Sequence, residues 1–334
     1  MKIIISKTNG IGDVILALPM ASYLKQFFPD CVIVFLCSEY TKAIVSACPD
    51  IDLFLNWDEL SLSTDRVLVQ KFKSFEATHI IHLLPNSRIE KAAKLASIPF
   101  RFGNSHVPRH FRYCNRFVGI NHRVPMHEVQ YDLKFLKLFG LNPHPSLLDV
   151  VGHIHQKPKI PLSAWLINLI DDTRFNLILH PGSHGNAREW PEDHFIELIH
   201  SLDKTLVQCL ITGSEKERLR FSKLAQNSPY AVNLMGKLKL EEFMAFIASC
   251  HGIVAANTGP MHLGAAMDIH TLGLFPPIKK KDPVRWQPLG SKAQFLVSQK
   301  TYCSANCQIN DCLCMRNITP AEVKRILLGW LAIR

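Results

Sequence analysis

Short β-branched runs, each followed by a turn and then a helical stretch, recur along the whole chain. That alternation admits few folds. In the first half, strands are predicted at residues 2–6, 32–37, 52–56 and 79–84, with helices over 14–28, 39–48 and 60–75 between them. The second half repeats the rhythm, with strands at 176–180, 206–212, 231–234, 252–256 and 271–275. Helices follow Pro191 and the 213–217 turn, and another spans 240–250. Strand–helix–strand repeats predict parallel sheets covered on both faces, so the fold class is α/β with doubly wound sheets. A chain of 334 residues fits two such domains. Residues 152–161 (G-H-I-H-Q-K-P-K-I-P) are polar, proline-bearing and without periodicity, which places the linker there. The predicted boundaries are 1–155 and 156–318, with a last helix over 319–334 that Thr319 caps ahead of Pro320.

Composition narrows the function. With 47% hydrophobic and 20% charged residues the chain reads as a soluble globular protein. No apolar run approaches the roughly 20 residues that span a bilayer. Lys7, Asn9 and Asp13 interrupt what would be a signal peptide's apolar region, so a cytoplasmic location is expected. The net charge of +10 favours acidic partners: nucleotides, phosphorylated sugars, nucleic acid or an anionic membrane face. Nucleic acid is set aside because no recognised binding module is present. Gly10 and Gly12 begin a dinucleotide fingerprint, but position 15 is Ile, and no Gly-Lys-Ser/Thr phosphate loop occurs.

Three turns stand where strands end in the second half: 181–191, 213–217 and 257–259. A doubly wound sheet holds its ligand at such carboxyl ends. The stretch from Asn257 to Ala266 (N-T-G-P-M-H-L-G-A-A) passes from a buried strand into a small-residue helix. It is either an ordinary start with Asn257 as N-cap or an anion site built from backbone N–H groups. Asp13 likewise either favours its helix dipole or serves as a general base. Residues 101–125 carry five arginines, three histidines and no acid. They form either a solvated basic loop or a contact for an anionic acceptor or a membrane. Of ten cysteines, six (Cys31, Cys37, Cys48, Cys114, Cys209 and Cys250) are scattered, several in apolar runs, as reduced thiols are. Cys303, Cys307, Cys312 and Cys314 give C-x3-C-x4-C-x-C, which is no standard zinc spacing; structural thiols, a metal and a disulfide all remain open for them.

Four segments resemble glycosyltransferase family 9, the ADP-heptose:lipopolysaccharide heptosyltransferases. They are K-T-x-G-I-G-D-V-I-L-A-L-P at 7–19, H-P-G-S-x-x-x-A-R-E-W-P at 180–191, N-T-G-P-M-H-L-G-A-A at 257–266, and L-F-P-P with the later R-W-x-P-L-G ending at Gly290. The resemblance implies a GT-B architecture: two Rossmann-like domains facing an interdomain cleft, with the last helix packing back toward the first domain. It implies inverting, metal-independent and cofactor-free transfer from a nucleotide sugar, ADP-heptose, to a lipopolysaccharide core acceptor at the inner membrane's cytoplasmic face. Asp13 then matches the catalytic base, and Arg188 matches a lysine that steadies the leaving diphosphate. Ser183, His184, Thr258, Gly259 and His262 fall in donor-phosphate turns. Glu217 matches the ribose acid, with Glu215 as the alternative, and Leu238 lies where adenine packs. Lys7, Gly12, Arg101, Arg109, Arg112 and Arg123 are the candidate acceptor contacts. Asn257 departs from an aspartate common in the family and thought to contact the heptose. A different nucleotide sugar, a different acceptor, or binding without catalysis are the alternatives it raises.

Overall fold

A computed structural model describes residues 1–183, 185, 187–299 and 312–332. The chain divides into two units, Met1–Lys157 and Pro158–Arg334.

The first unit is built on a six-stranded parallel sheet. Its strands are β1 (Lys2–Ser6), β2 (Val32–Cys37), β3 (Leu53–Asn56), β4 (His79–His82), β5 (Phe100–Asn104) and β6 (Arg116–Val118), in the order β3-β2-β1-β4-β5-β6. Central β1 pairs Ile4 with Val34 on one side and with Ile80 on the other. Ile3, Ile4 and Ile5 are completely buried, as a strand covered on both faces requires. On one face Ile4, Val34, Leu36 and Ile80 meet Leu68, Phe72, Ile89 and Ala92 from helices Asp65–Ser74 and Ser87–Leu95.

Two differences from the sequence reading stand out. The predicted 14–28 helix is two helices, Ile11–Ala17 and Pro19–Phe27. Pro19 lacks an N–H and clashes with the preceding turn, so the backbone restarts with proline at the first position of the second helix. The arginine-rich stretch is no free loop: β5 and β6 run through it and extend the sheet.

The second unit repeats the plan. Strands β7 (Phe175–His180), β8 (Val207–Ile211), β9 (Val232–Asn233), β10 (Gly252–Ala256), β11 (His270–Phe275) and β12 (Ala293–Val297) are parallel, in the order β12-β11-β10-β7-β8-β9. Strand order reverses between β10 and β7, which leaves a crevice beyond their carboxyl ends. Helix Gly259–Ala266 lies close over this sheet. A Cβ on its Gly264 would come 2.3 Å from Ile253 Cγ2, so only glycine fits there.

The last helix, Pro320–Leu331, starts with a capping box between Thr319 and Glu322. Its Val323, Leu327 and Trp330 join Phe175, Trp190 and Leu198 in one core of the second unit. Trp190 Nε1 donates to Ile318 O at 2.8 Å and fastens the segment before that helix. Cys312 and Cys314 are buried in the same core. Cys303 and Cys307 lie outside the described residues. Among the described residues no helix is long and apolar enough to cross a membrane.

Candidate functional site

In the second unit four turns leave the carboxyl ends of neighbouring strands. The turn after β7 passes under Glu217: a Cβ on Gly182 would sit 1.9 Å from Glu217 Oε1, so a larger residue there would displace the carboxylate. Glu217 itself is held by its own helix start. Its Oε2 accepts from Ser214 N at 2.7 Å and from Ser214 Oγ at 2.9 Å, while Ser214 Oγ accepts from Glu217 N. This capping box buries Glu217 with Oε1 toward the turn. Glu215, the alternative acid, is exposed and paired with Arg218. Leu238 is half-buried in the segment after β9.

Ser183 is not a free phosphate donor. Its hydroxyl is engaged with Glu189 Oε1 at 2.7 Å and Ala187 O at 3.2 Å, which braces the turn. Glu189 is buried and also accepts from Arg220. Burial pushes its carboxyl up, while Ser183 and Arg220 pull it down. His184 lies outside the described residues. Arg188, on the same turn, is half-buried and has no carboxylate partner among the described residues.

The turn after β10 differs from the sequence reading in one respect. Thr258, not Asn257, is the N-cap of helix Gly259–Ala266, and no side chain caps it. Thr258 Oγ1 donates back to Ala256 O, and Asn257 Nδ2 donates to Lys281 O at 3.2 Å. The helix therefore presents an uncapped positive end, with Pro260 contributing no N–H. His262 is buried one turn further in. Lys281, from the turn after β11, is half-buried. Burial and the charge of Arg188 push its ammonium toward release of its proton. Arg188 and Lys281 thus stand on the turns after β7 and β11, the strands either side of the β10 strand that leads into the uncapped helix start, an arrangement that suits a ligand with more than one negative charge.

The first unit holds a second cluster. Lys7, at the carboxyl end of β1, is buried and donates to Asp132 Oδ2 at 2.9 Å and Glu128 Oε1 at 3.4 Å, both on helix Glu128–Leu133. Burial opposes its charge, but Asp132, Glu128 and Asp13 outweigh that and hold it protonated. Asp132 is pushed up to about 7 by burial and by Glu128 and Asp13, with Lys7 opposing. Asp13 is half-buried in the first turn of helix Ile11–Ala17, beside Gly10 and Gly12.

Glu128 and Asp132 also line a cavity of about 750 Å³, together with His82, Asn104, His106, His122, Arg123 and Tyr131. That volume is in the range of small-molecule sites. His82 is buried, and neither ring nitrogen has a hydrogen-bond partner among the described residues. Burial drives it down to about 3, so it is neutral at ordinary pH.

Of the four candidate acceptor arginines, Arg123 lines the cavity. Arg101 donates to Tyr113 O and Ile98 O and stitches the β5–β6 connection. Arg109 pairs with buried Glu90, and Arg112 is exposed over the Tyr113 ring. Lys7 is spent on its carboxylates rather than offered to a ligand. The sequence reading missed His82, Glu128, Asp132 and Lys281 as site groups. Only the i, i+4 spacing of Glu128 and Asp132 signals a shared helix face.

Residues 101–314 match the family model described as glycosyltransferase family 9 (heptosyltransferase). The chain is 23% identical over 317 residues to lipopolysaccharide heptosyltransferase 2 of Salmonella typhimurium, covering 89% of this chain and 88% of that protein. Among solved structures, a family 9 glycosyltransferase from Veillonella parvula superposes with a TM-score of 0.82 at 18% identity, covering 100% and 98% of the two chains. The E. coli heptosyltransferase WaaC, solved with ADP, superposes with a TM-score of 0.72 at 20% identity, covering 99% and 100%. The two parallel six-stranded sheets are those of the GT-B fold of these enzymes.

Proposed function

Because this chain belongs to glycosyltransferase family 9, we propose that it moves a heptose from ADP-heptose to a hydroxyl of a lipopolysaccharide core acceptor. The observation that carries the donor half is Arg188, half-buried on the turn after β7 and without a carboxylate partner among the described residues. As the bond from sugar to diphosphate breaks, negative charge grows on the leaving group. Arg188 and the uncapped end of helix Gly259–Ala266 meet that charge, so the proposed step calls on no divalent cation. Glu217 Oε1, above the Gly182 turn, is placed to accept from ribose hydroxyls, and Leu238 supplies apolar area for the base. Inversion follows when the acceptor hydroxyl attacks the face opposite the diphosphate, with Asp13 taking its proton. The cavity beside Glu128, Asp132 and Arg123 is the proposed acceptor pocket, its neutral His82 and its amides suited to hydroxyl groups.

Exposed Phe111 and Val124, among exposed Arg109, Arg112, Arg116 and Arg123, support a transient contact with an anionic membrane at the cytoplasmic face. A second reading, a family 9 transferase using another nucleotide sugar, rests on Asn257, whose amide is turned to Lys281 O. Product formation from ADP-heptose and a heptose-deficient core acceptor, with and without EDTA, tests the first reading. Turnover with a GDP- or UDP-sugar and none with ADP-heptose selects the second. Failure to turn over any nucleotide sugar, with binding intact, would leave a binding protein that does not catalyse.

A further inference from the structure

The Asn257 side chain points away from its own helix start, and its partner explains why an amide stands there. Asn257 Nδ2 donates to the main-chain carbonyl of Lys281. A carboxylate at this position has no proton to give and would set a negative charge against that oxygen. The segment it holds is pinned from other directions as well. Lys281 N donates to Ile278 O at 2.7 Å, and Trp286 Nε1 donates to Lys280 O at 2.9 Å. Asp282 caps the short helix Pro283–Trp286 through Arg285 N. Each contact fixes main chain, so the direction in which Lys281 leaves the loop is set before any ligand arrives.

That direction matters because of what lies next to it. β7, β10 and β11 are neighbours in the sheet, so the turns bearing Arg188, Asn257 and Lys281 leave from one edge. Bringing two cations together without a ligand is unfavourable; burial first, and then the charge of Arg188, disfavour the charged form of Lys281. Like charges held together by a pinned backbone are relieved when a polyanion binds between them.

We propose that Asn257 and Lys281 act as one device, in which the Asn257 amide fixes the loop after β11 so that the Lys281 ammonium joins Arg188 on the donor's diphosphate. This rests on the reading of the second unit as a nucleotide-sugar site. It assigns Asn257 a positioning role and Lys281 a direct one. It also predicts a specific selectivity: the second cation matters for a diphosphate and little for a monophosphate, whose charge one cation can meet.

The experiment measures calorimetric binding of ADP and AMP to the full chain and to Lys281→Met, Lys281→Arg, Asn257→Asp, Arg188→Met and the Asn257→Asp/Lys281→Met double variant. Lys281→Met is expected to weaken ADP about tenfold while AMP changes less than about twofold, so AMP also reports that the site is folded. Lys281→Arg restores ADP binding. Asn257→Asp loses as much ADP affinity as Lys281→Met, and the double variant loses no more than either, the signature of one shared interaction. Equal losses for ADP and AMP, or losses that add in the double variant, overturn the proposal. Intact ADP binding in Lys281→Met, alongside a loss in Arg188→Met, overturns it alone and leaves the nucleotide-sugar reading standing. Wild-type protein that binds none of ADP, GDP and UDP overturns both.

Discussion

Replacing His82 with leucine should change how the protein responds to acid, by an amount the structure allows one to work out. His82 ends β4, is 1% exposed, and finds no hydrogen-bond partner for either ring nitrogen among the described residues. Burial dominates its titration. Glu90 pulls it up, while His110 and Arg101 push it further down. The folded imidazole therefore gains its proton only near pH 3, against about 6.5 in an unfolded chain. Between those values the unfolded state binds more protons, so stability drains away as pH falls through 6.5 and goes on falling until about 3. By about pH 5 the loss is roughly 2 kcal/mol, at about 1.4 kcal/mol per pH unit. Asp132 works in the other direction. Its folded carboxyl, raised to about 7, takes a proton before the unfolded one does, so acid favours the folded state over the same window. The two contributions oppose each other and flatten the wild-type profile. His82→Leu removes only the first. The variant should gain roughly 2 kcal/mol on wild type between about pH 7 and pH 5, read as the difference of urea unfolding free energies followed by circular dichroism. Parallel pH profiles for the two proteins would refute the reasoning, because they would mean that this histidine titrates alike folded and unfolded.

Lys7→Met leaves Asp132 and Glu128 buried without their cation, and should destabilise the first unit by about 3–5 kcal/mol near neutral pH, measured by urea titration. Part of that loss should return on acidification, as Asp132 takes up a proton. Asp13→Ala should lower sugar transfer at least ~100-fold while ADP affinity, by calorimetry, stays within about twofold; retained turnover removes the assigned base. Gly264→Ala sets a methyl 2.3 Å from Ile253 Cγ2 and should cost about 1–3 kcal/mol, seen as a lowered melting temperature; an unchanged value would show that helix Gly259–Ala266 shifts freely.

The buried strands were legible because their chemistry is continuous. β1, β2 and β10 are unbroken apolar runs, and such runs in an α/β rhythm have few alternatives. β5, β6 and β12 were not. β6 is the three residues Arg-Phe-Val, and β12 is a half-exposed edge strand, so neither carries a burial pattern of its own. Their pairing comes from the sheet they extend, which is a tertiary effect. The site divides the same way. Asp13, Arg188, Glu217 and the turn at 257–259 sit on local strand–turn–helix signatures. Lys7 meets Glu128 and Asp132 across 121 and 125 residues of chain, and no spacing rule anticipates that. Lys281 is one of three consecutive lysines, and its burial and the Asn257 hydrogen bond to its carbonyl, both tertiary, set it apart from the other two.

The placement of the last helix has a consequence for biosynthesis. All six strands of the first sheet are complete by Val118, so that unit can close while the rest of the chain is still being made. The second cannot. Phe175, Trp190 and Phe195 share their core with Met315, Val323, Leu327 and Trp330, so their apolar surface stays uncovered until those residues emerge. At 5–20 residues per second that interval lasts roughly 7–30 s. During it the nascent second unit is a sheet lacking one side of its core, open to chaperones, proteases and its own copies on neighbouring ribosomes. Expression that stalls ahead of residue 320 should therefore yield a folded first unit joined to an insoluble second one.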